Sequence, residues 1–293
     1  MFRSTLHVAK RNISSIKNGI VTEAVGQIVT IGLNRPEKRN CIDTDTAVKL
    51  NKAINEFEED DSSLVAVLYG VGGNFCSGYD LSELSQADLD NEDLISQMMM
   101  VPRIKHTQKP MVAALSGFTI AGGMELALLC DLRVMEDTAV MGFYGRRFGV
   151  PLVDGATVRL PAMVGLSKAL DLILTGRTLN AKEAFEWGLA NRIVACGTSL
   201  GQAIQLATSL VKFPQRCLKS DRKSIYNSAF IQIFDELLEF EKKNANKLDK
   251  SSIIVGAKKF MSGIGKHGKA YNLSEKQKYD WEKEFDDTFK NKL

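Results

Sequence analysis

The chain has 293 residues, of which 44% are hydrophobic and 25% are charged, and its formal net charge is +3. This length suits one large domain or two smaller ones, and the mixed charges indicate a soluble globular protein. The near balance of charge, without a dominant basic block in the central region, argues against a nucleic-acid-binding protein. No stretch approaches the roughly 20 apolar residues that span a bilayer, so we expect no membrane-spanning segment.

The N-terminal segment is basic: residues 1–22 contain four Lys or Arg side chains, and the first acidic residue is Glu23. Ser and Thr are frequent, and an apolar core long enough for a secretory signal is missing. This composition is typical of a mitochondrial transit peptide, with a disordered basic tail as the alternative. We therefore assign residues 1–19 to such a segment and expect a mitochondrial matrix location, otherwise a cytoplasmic one.

Strand and helix patterns alternate through the next part of the chain. Short β-branched or continuous apolar runs predict strands, and apolar residues at helical spacing predict helices. A strand, a helix and a strand in this order indicate a parallel unit with a right-handed crossover. The predicted elements are strands at 27–35, 63–71, 110–120 and 132–137, a helix at 44–60, a glycine-rich turn at 72–84 that leads into a helix, a loop at 85–100 that runs into a helix, and a helix from Gly122.

The second half of the chain reads as mainly helical. Helices are predicted at 164–176 and 180–190, followed by a short strand, and then at 200–212, 224–245 and 249–263. No linker rich in Pro or Ser divides the chain. We therefore place a core at 20–200 and a helical region at 201–293.

Cysteine and histidine usage gives no indication of a metal site. The five cysteines are scattered without a Cys-x-x-Cys pair, and the three histidines are isolated. We interpret the cysteines as reduced, mostly buried thiols and expect no metal.

Two glycine-containing turns carry the chemical signal. In "FCSGYDL" the chain turns at Ser77 and Gly78 before Tyr79, and in "IAGGMEL" it turns at Gly122 and Gly123 before a helix. Glycine allows close approach of the backbone to a ligand, and the first N–H groups of a helix have no partner within it. Two such N–H groups that converge would form an oxyanion hole.

Glu125 follows the second turn and precedes an apolar run. A carboxylate beside an oxyanion hole can serve as a general acid or base. The alternative is a structural charge that is paired with Arg133 or another neighbour.

Four segments together resemble the enoyl-CoA hydratase/isomerase (crotonase) superfamily over roughly residues 20–265. The resemblance implies an α/β crotonase-like spiral of ββα units with a C-terminal helical trimerisation region. It also implies a homotrimer or hexamer that acts on an acyl-CoA thioester by stabilising an enolate. The segments are "NRPEKRN", "GVGGNFCSGYDLSEL", "KPMVAALSGFTIAGGMELALLCDLRV" and "GATVRLPAMVGLSKALDLILTGRTLNAKEAFEWGLANRIV".

Site residues follow from the matching positions. The resemblance assigns the oxyanion amides to Tyr79 and Gly122 and makes Glu125 the first of the two catalytic glutamates of hydratases. It also implies that the turns and two flanking segments bind the acyl-CoA. These further substrate-binding residues are Lys38, Arg39, Ser77, Gly78, Asp80, Gly123, Arg146, Lys259 and Phe260.

The second glutamate of hydratases is absent from its expected place. Alignment of Gly142 and Gly149 puts that position at Gly145, and no carboxylate follows until Asp154. Asp154 can assist Glu125 or can simply belong to a turn beside Gly155.

Two basic residues follow Gly145, and they have two interpretations. Arg146 or Arg147 can face a carboxylate on the acyl group, since a guanidinium suits bidentate recognition, or both can pair with surface acids or a neighbouring subunit.

Three functions fit these patterns. The first is hydration of a 2-enoyl-CoA or a double-bond shift through Glu125 in fatty acid metabolism. The second is a hydrolase or decarboxylase of the same superfamily, and the third is a non-catalytic acyl-CoA-binding protein. No dinucleotide fingerprint is present, so we expect no cofactor beyond the coenzyme A of the substrate.

Overall fold

A computed structural model describes residues 19–88, 93–100, 106–230, 234–246 and 250–264. Within these ranges the strands form two sheets, and helices cover them. The strands are β1 (Gly19–Val25), β2 (Ile28–Asn34), β3 (Val65–Gly70), β4 (Met111–Leu115), β5 (Phe118–Ile120), β6 (Leu132–Glu136), β7 (Val140–Gly142), β8 (Leu179–Asn180) and β9 (Arg192–Val194). The helices are α1 (Thr44–Glu59), α2 (Leu81–Leu84), α3 (Leu94–Gln97), α4 (Gly122–Leu129), α5 (Ala156–Val164), α6 (Leu166–Thr175), α7 (Ala181–Glu186), α8 (Ser199–Val211), α9 (Gln215–Phe230), α10 (Phe234–Ala245) and α11 (Lys250–Met261).

The larger sheet has six strands in the order β1-β2-β3-β4-β6-β9. β1 and β2 form an antiparallel hairpin, and each later neighbour is parallel. Parallel strands need both faces covered, which is why β3 and β4 are continuous apolar runs. α8 packs with Ala203 and Ala207 on one face, and α1 packs with Leu50 and Ile54 in the core on the other.

The predicted strand at 110–120 is divided between the two sheets. β4 ends at Leu115, Gly117 takes a φ of 50°, and β5 then pairs with β7 in a three-stranded sheet with β8. A side chain at Gly117 would come within 2.3 Å of the Gly73 carbonyl oxygen. This break matters for the site, because it carries the chain out of the main sheet directly before α4 begins.

Two further boundaries differ from prediction. β1 was not predicted. Its first residue, Gly19, was assigned to the transit peptide or tail at 1–19, but it pairs with Asn34. The helix predicted to begin at residue 224 begins earlier: α9 starts at Gln215. The remaining leader residues 1–18 and the segment 265–293 lie outside the described residues.

Helix α9 is held on the core by the side chain of Asp131. Its Oδ1 accepts a hydrogen bond from Arg222 Nε at 2.7 Å and one from the Tyr226 hydroxyl at 2.8 Å. Its Oδ2 accepts from the Met111 amide at 2.8 Å. α9 is therefore tied to the beginning of β4. None of the helices in the described ranges has the length and apolarity required to cross a bilayer.

Candidate active site

The first glycine turn is clamped from one side by Ile42. The Ile42 amide donates to the Gly78 carbonyl at 2.8 Å, and the Asp80 amide donates to the Ile42 carbonyl at 2.8 Å. Successive backbone groups of an extended chain point to opposite sides, so the Tyr79 N–H is directed away from Ile42. Gly78 has a φ of 92°, a conformation that a residue with a β-carbon rarely adopts.

The second turn lies at the start of α4. Ala121 has a φ of 51° and donates its amide to the Gly142 carbonyl at 2.8 Å, which ties the turn to β7. Gly122 and Gly123 then open the helix. A methyl group on Gly123 would lie 2.2 Å from the Cys76 carbonyl oxygen, so the helix can begin here only with glycine at that position.

The two turns are in direct contact. A methyl group on Gly78 would lie 3.0 Å from the Gly122 nitrogen, and one on Gly122 would lie 3.6 Å from the Gly78 Cα. Within the described ranges, neither the Tyr79 amide nor the Gly122 amide donates to a protein acceptor. The thioether of Met100 covers the outer side of Gly122, where its methyl group would meet an added β-carbon at 2.3 Å.

Glu125 is buried, with 3% of its surface exposed, one turn into α4. Its Oε1 accepts hydrogen bonds from the Asp154 and Ala156 amides, both at 3.0 Å. The predicted alternative, a pairing with Arg133, is wrong. The Arg133 guanidinium donates instead to the carbonyls of Cys130 and Leu189, each at 2.6 Å.

The position of the second hydratase glutamate lies in a short 3-10 helix, Tyr144–Phe148. The Gly145 carbonyl accepts from the Val150 amide at 3.1 Å, and a β-carbon on Gly145 would lie 3.1 Å from the Val150 carbonyl oxygen. Such a contact is tight but requires only a small shift. A side chain at Gly145 therefore requires the Val150 carbonyl to move by a few tenths of an ångström.

The two arginines after Gly145 contact the C-terminal end of α6. Arg146 is exposed, and its Nε donates to the Ile173 carbonyl at 3.4 Å. Arg147 lies over the Tyr144 ring at 4.2 Å and donates to the Gly176 carbonyl at 3.2 Å. Among the described residues neither arginine pairs with an acid, so the expected surface ion pairs do not form there.

Asp80 is buried beside the first turn, and both of its carboxylate oxygens are engaged. Oδ2 accepts from Arg35 Nη2 at 2.8 Å and from Lys38 Nζ at 2.9 Å, while Oδ1 accepts from the Ser82 amide at 3.0 Å. Burial disfavours the charge, but the hydrogen bonds from Ser82, Lys38 and Arg35 outweigh it and hold the Asp80 pKa well below its ordinary value. These contacts make Asp80 a residue that fixes the turn.

Lys38 was predicted to contact coenzyme A, and the structure pairs it with Asp80. The hydrogen bond to Asp80 raises the Lys38 pKa. Lys38 also lines a surface groove of about 600 Å³ together with four carboxylates. Their negative charge opposes phosphate binding in that groove. The four are Asp43, Asp45, Asp80 and Glu83.

Arg39 and Ser77 join the loop after β2 to the first turn. Arg39 has a φ of 52°, its carbonyl accepts from the Ser77 amide at 3.1 Å, and its guanidinium lies 5.0 Å from the centre of the Phe118 ring. The Ser77 hydroxyl donates to the Lys38 carbonyl at 3.3 Å.

Sequence reasoning missed Arg35, which binds Asp43 and Asp80, because nothing local distinguishes it from a solvated loop cation.

The last predicted pair of binding residues lies on α11. The Phe260 ring packs edge-on against Phe148 with their centroids 5.1 Å apart. The Lys259 carbonyl accepts from the Ile264 amide at 3.1 Å. α11 therefore packs against the same 3-10 helix that contains Gly145.

Comparison with known proteins identifies the family. Residues 23–283 match the family model described as enoyl-CoA hydratase/isomerase. The chain belongs to this family. It is 31% identical over 199 residues to a protein named mevalonyl-coenzyme A hydratase from Aspergillus fumigatus. The match covers 67% of the chain and 73% of that protein. It is 30% identical to "Probable enoyl-CoA hydratase, mitochondrial" from Dictyostelium discoideum, over 76% of the chain and 80% of that protein.

Solved structures agree with this assignment. An enoyl-CoA hydratase from Mycobacterium tuberculosis H37Rv superimposes with a TM-score of 0.69 at 28% identity, covering 80% of this chain and 99% of the other. The predicted α/β crotonase fold is therefore confirmed, and the protein is an acyl-CoA enzyme of the hydratase/isomerase kind. Within the described residues no group of three His, Cys, Asp or Glu side chains is placed to hold a metal ion.

Proposed function

We propose that this family member adds water to the double bond of a 2-enoyl-CoA thioester, or moves that double bond, with Glu125 as acid and base. The observation that carries the proposal is the contact between the Gly78 and Gly122 turns, with a buried carboxylate one helical turn beyond Gly122. The hydratases named among the relatives favour water addition over the double-bond shift.

The amides of Tyr79 and Gly122 are proposed to bind the thioester oxygen. Addition at the β-carbon moves negative charge onto that oxygen, and donors fixed in advance stabilise the resulting enolate. Gly122 is the first residue of α4, so its amide also carries the positive end of the helix dipole. Ile42 and Gly142, which bind the two turns, would hold the donors in place before substrate arrives.

Glu125 is proposed to transfer the protons. In hydration it accepts a proton from water while the oxygen bonds to the β-carbon, and a proton is then delivered to the α-carbon of the enolate. The atoms balance as one water added across the double bond. In the isomerase direction the same carboxylate removes a proton from one carbon and returns it to another.

A second proton-transfer group is not available at Gly145, and Asp154 is our candidate for it. The Asp154 amide, just before α5, donates to the Glu125 carboxylate on α4, so the two residues are in contact. The sequence favours a turn role for Asp154, and this contact supports the proposal by placing that turn beside Glu125.

The remaining features are proposed from the family. No cofactor is required beyond the coenzyme A of the substrate, and no nucleic acid takes part. A homotrimer or hexamer assembled through the C-terminal helices and a mitochondrial matrix location in fatty acid metabolism complete the proposal. The relative named as mitochondrial is consistent with the location.

The test is turnover of crotonyl-CoA and of a 3-enoyl-CoA by the parent and by Glu125→Gln. We expect kcat to fall by about 10²- to 10⁴-fold in the variant, because one proton-transfer group is lost. Binding of a saturated acyl-CoA, measured by calorimetry, serves as the control and should persist. Equal rates in both proteins would remove Glu125 from the mechanism. Free acid or carbon dioxide from malonyl-type thioesters would instead indicate a hydrolase or decarboxylase.

A further inference from the structure

The Glu125 carboxylate is held by a backbone turn on another helix. Its Oε1 binds the amides on both sides of Gly155, those of Asp154 and Ala156. Gly155 has a φ of 93° and a ψ of 15° and is the N-cap of α5. A left-handed residue between two amides turns both N–H groups into one concave site for an anion. The conformation of Gly155 therefore decides where the Glu125 carboxylate lies.

Arg159 is the side chain that supports this turn. Its Nη1 donates to the Asp154 carbonyl at 2.7 Å, and its backbone amide donates to the Gly155 carbonyl at 2.9 Å. The guanidinium also occupies the space beside Gly155, because a β-carbon there would lie 2.2 Å from Nη1. Arg159 thus braces the turn through the carbonyl groups on the opposite side from Glu125.

The burial of Arg159 indicates a specific role. Only 4% of its surface is exposed, and a buried cation is unfavourable unless it forms defined interactions. An apolar side chain would fill the same space without that penalty. From the first turn of α5, only a long side chain that ends in a donor can reach the Asp154 carbonyl.

We propose that Arg159 is a positioning residue for Glu125, acting through the Asp154–Ala156 turn. In this role Arg159 touches neither substrate nor reacting atoms. The inference rests on the proposed function of Glu125. Removal of the guanidinium releases the turn, the two amides lose their common direction, and the Glu125 carboxylate moves from its place on the Asp154 and Ala156 amides.

The experiment compares Arg159→Met, Arg159→Lys and Gly155→Ala with the parent protein on crotonyl-CoA. We expect kcat to fall by about 10²-fold in Arg159→Met and about 10-fold in Arg159→Lys, since a displacement near 1 Å has effects of this size. KM should change little, because in this role Arg159 acts on the position of the Glu125 carboxylate and not on substrate binding. Gly155→Ala perturbs the same turn by displacing the Arg159 guanidinium and straining the left-handed φ, and it should reproduce the fall in kcat, which keeps the test valid if Arg159→Met does not fold.

Arg222→Met is the matched control. Arg222 is also largely buried, but its contacts in the described residues are with Asp131, Thr107 and Tyr226 and not with the Asp154–Ala156 turn, so the variant should lose thermal stability and keep its kcat. The double variant Glu125→Gln/Arg159→Met should be no slower than Glu125→Gln alone. A further loss in the double variant would overturn the inference, and so would an equal fall in kcat for Arg222→Met.

A structural readout separates this inference from the proposed function. A crystal structure of Arg159→Met, or of Gly155→Ala, should show the Glu125 carboxylate displaced from the two amides. If both hydrogen bonds persist at 3.0 Å, Arg159 does not position Glu125, whatever the activity. If the carboxylate moves while Glu125→Gln stays fully active, the proposed function fails and the positioning stands.

Discussion

Gly78 and Gly122 approach each other so closely that a methyl group on the first would lie 3.0 Å from the nitrogen of the second. Gly78 directly precedes Tyr79, which carries one amide of the proposed oxyanion hole, and Gly122 itself carries the other. The contact fixes the distance between the two donors and leaves no space for a side chain between them. Changes at this contact therefore test the geometry on which the proposed chemistry depends.

Gly78→Ala should strongly impair catalysis. The added methyl group presses on the Gly122 amide, and the left-handed φ strains the turn as well. The matched control is Gly73→Ala, where φ is 83° but nothing lies within 4 Å of the added methyl. We expect Gly73→Ala to lose about 1 kcal/mol of stability from backbone strain, and Gly78→Ala to lose more because of the added contact, both measured by urea unfolding. Only Gly78→Ala should also lose roughly 10²-fold in kcat. Parallel losses of activity would show that strain alone is responsible.

Gly145→Glu should accelerate hydration of crotonyl-CoA. The β-carbon fits with a shift of a few tenths of an ångström against the Val150 carbonyl, and the carboxylate restores the second group that hydratases use. We expect kcat to rise by at least about 10-fold, below the usual range for a proton-transfer group because the surroundings are not adapted to it. Gly145→Gln has the same shape without the charge and should show no gain. An increase in both variants would point to packing as the cause.

Asp154→Asn tests the candidate second group. Asparagine keeps the backbone amide that binds Glu125 and nearly the same side-chain volume, so the fold should not change. If the Asp154 carboxylate moves a proton, kcat falls by about 10²-fold or more with KM nearly unchanged. Steady-state kinetics on crotonyl-CoA gives both values. Unchanged kcat would leave Asp154 with its backbone role only.

Asp80→Asn should destabilise the protein in a pH-dependent manner. Replacing the carboxylate weakens the hydrogen bonds from Arg35 and Lys38, for an expected loss of about 2 kcal/mol near neutral pH. The folded pKa of Asp80 lies below the ordinary 3.8, so its contribution is complete above that value and declines as the pH falls below it. The difference in Tm between the two proteins should therefore be constant above about pH 5 and shrink below about pH 4. A difference that grows on acidification would contradict the assignment.

Much of the fold could be predicted from local pattern. α1 and β3 follow from helical spacing and a continuous apolar run, and the glycine turns around Tyr79 and Gly122 stand out as a pair, with a carboxylate beside the second. β1 escaped prediction because polar residues such as Thr22 and Glu23 interrupt its apolar pattern; it is half exposed at the sheet edge.

The partners of the site residues could not be predicted in the same way. Glu125 binds amides that lie 29 and 31 residues further along the chain, and backbone amides carry no side-chain signal. Arg133, the nearest cation in sequence, was the partner named in the structural alternative for Glu125, yet it binds carbonyls at the end of α4. Asp80 shows the same limit, since Arg35 is 45 residues away.

The extended segment before the first glycine turn runs parallel to β5, the strand before the second: the Cys76 amide donates to the Phe118 carbonyl at 3.0 Å, and the Cys76 carbonyl accepts from the Ile120 amide at 2.9 Å. A slip of one residue between these segments would carry one turn about 3.3 Å past the other and exchange its inward and outward side chains. Misaligned chains could keep a normal helix content and compactness, but their two donors would no longer meet. Turnover is thus a gauge of strand alignment, and it responds to errors of folding that circular dichroism does not detect.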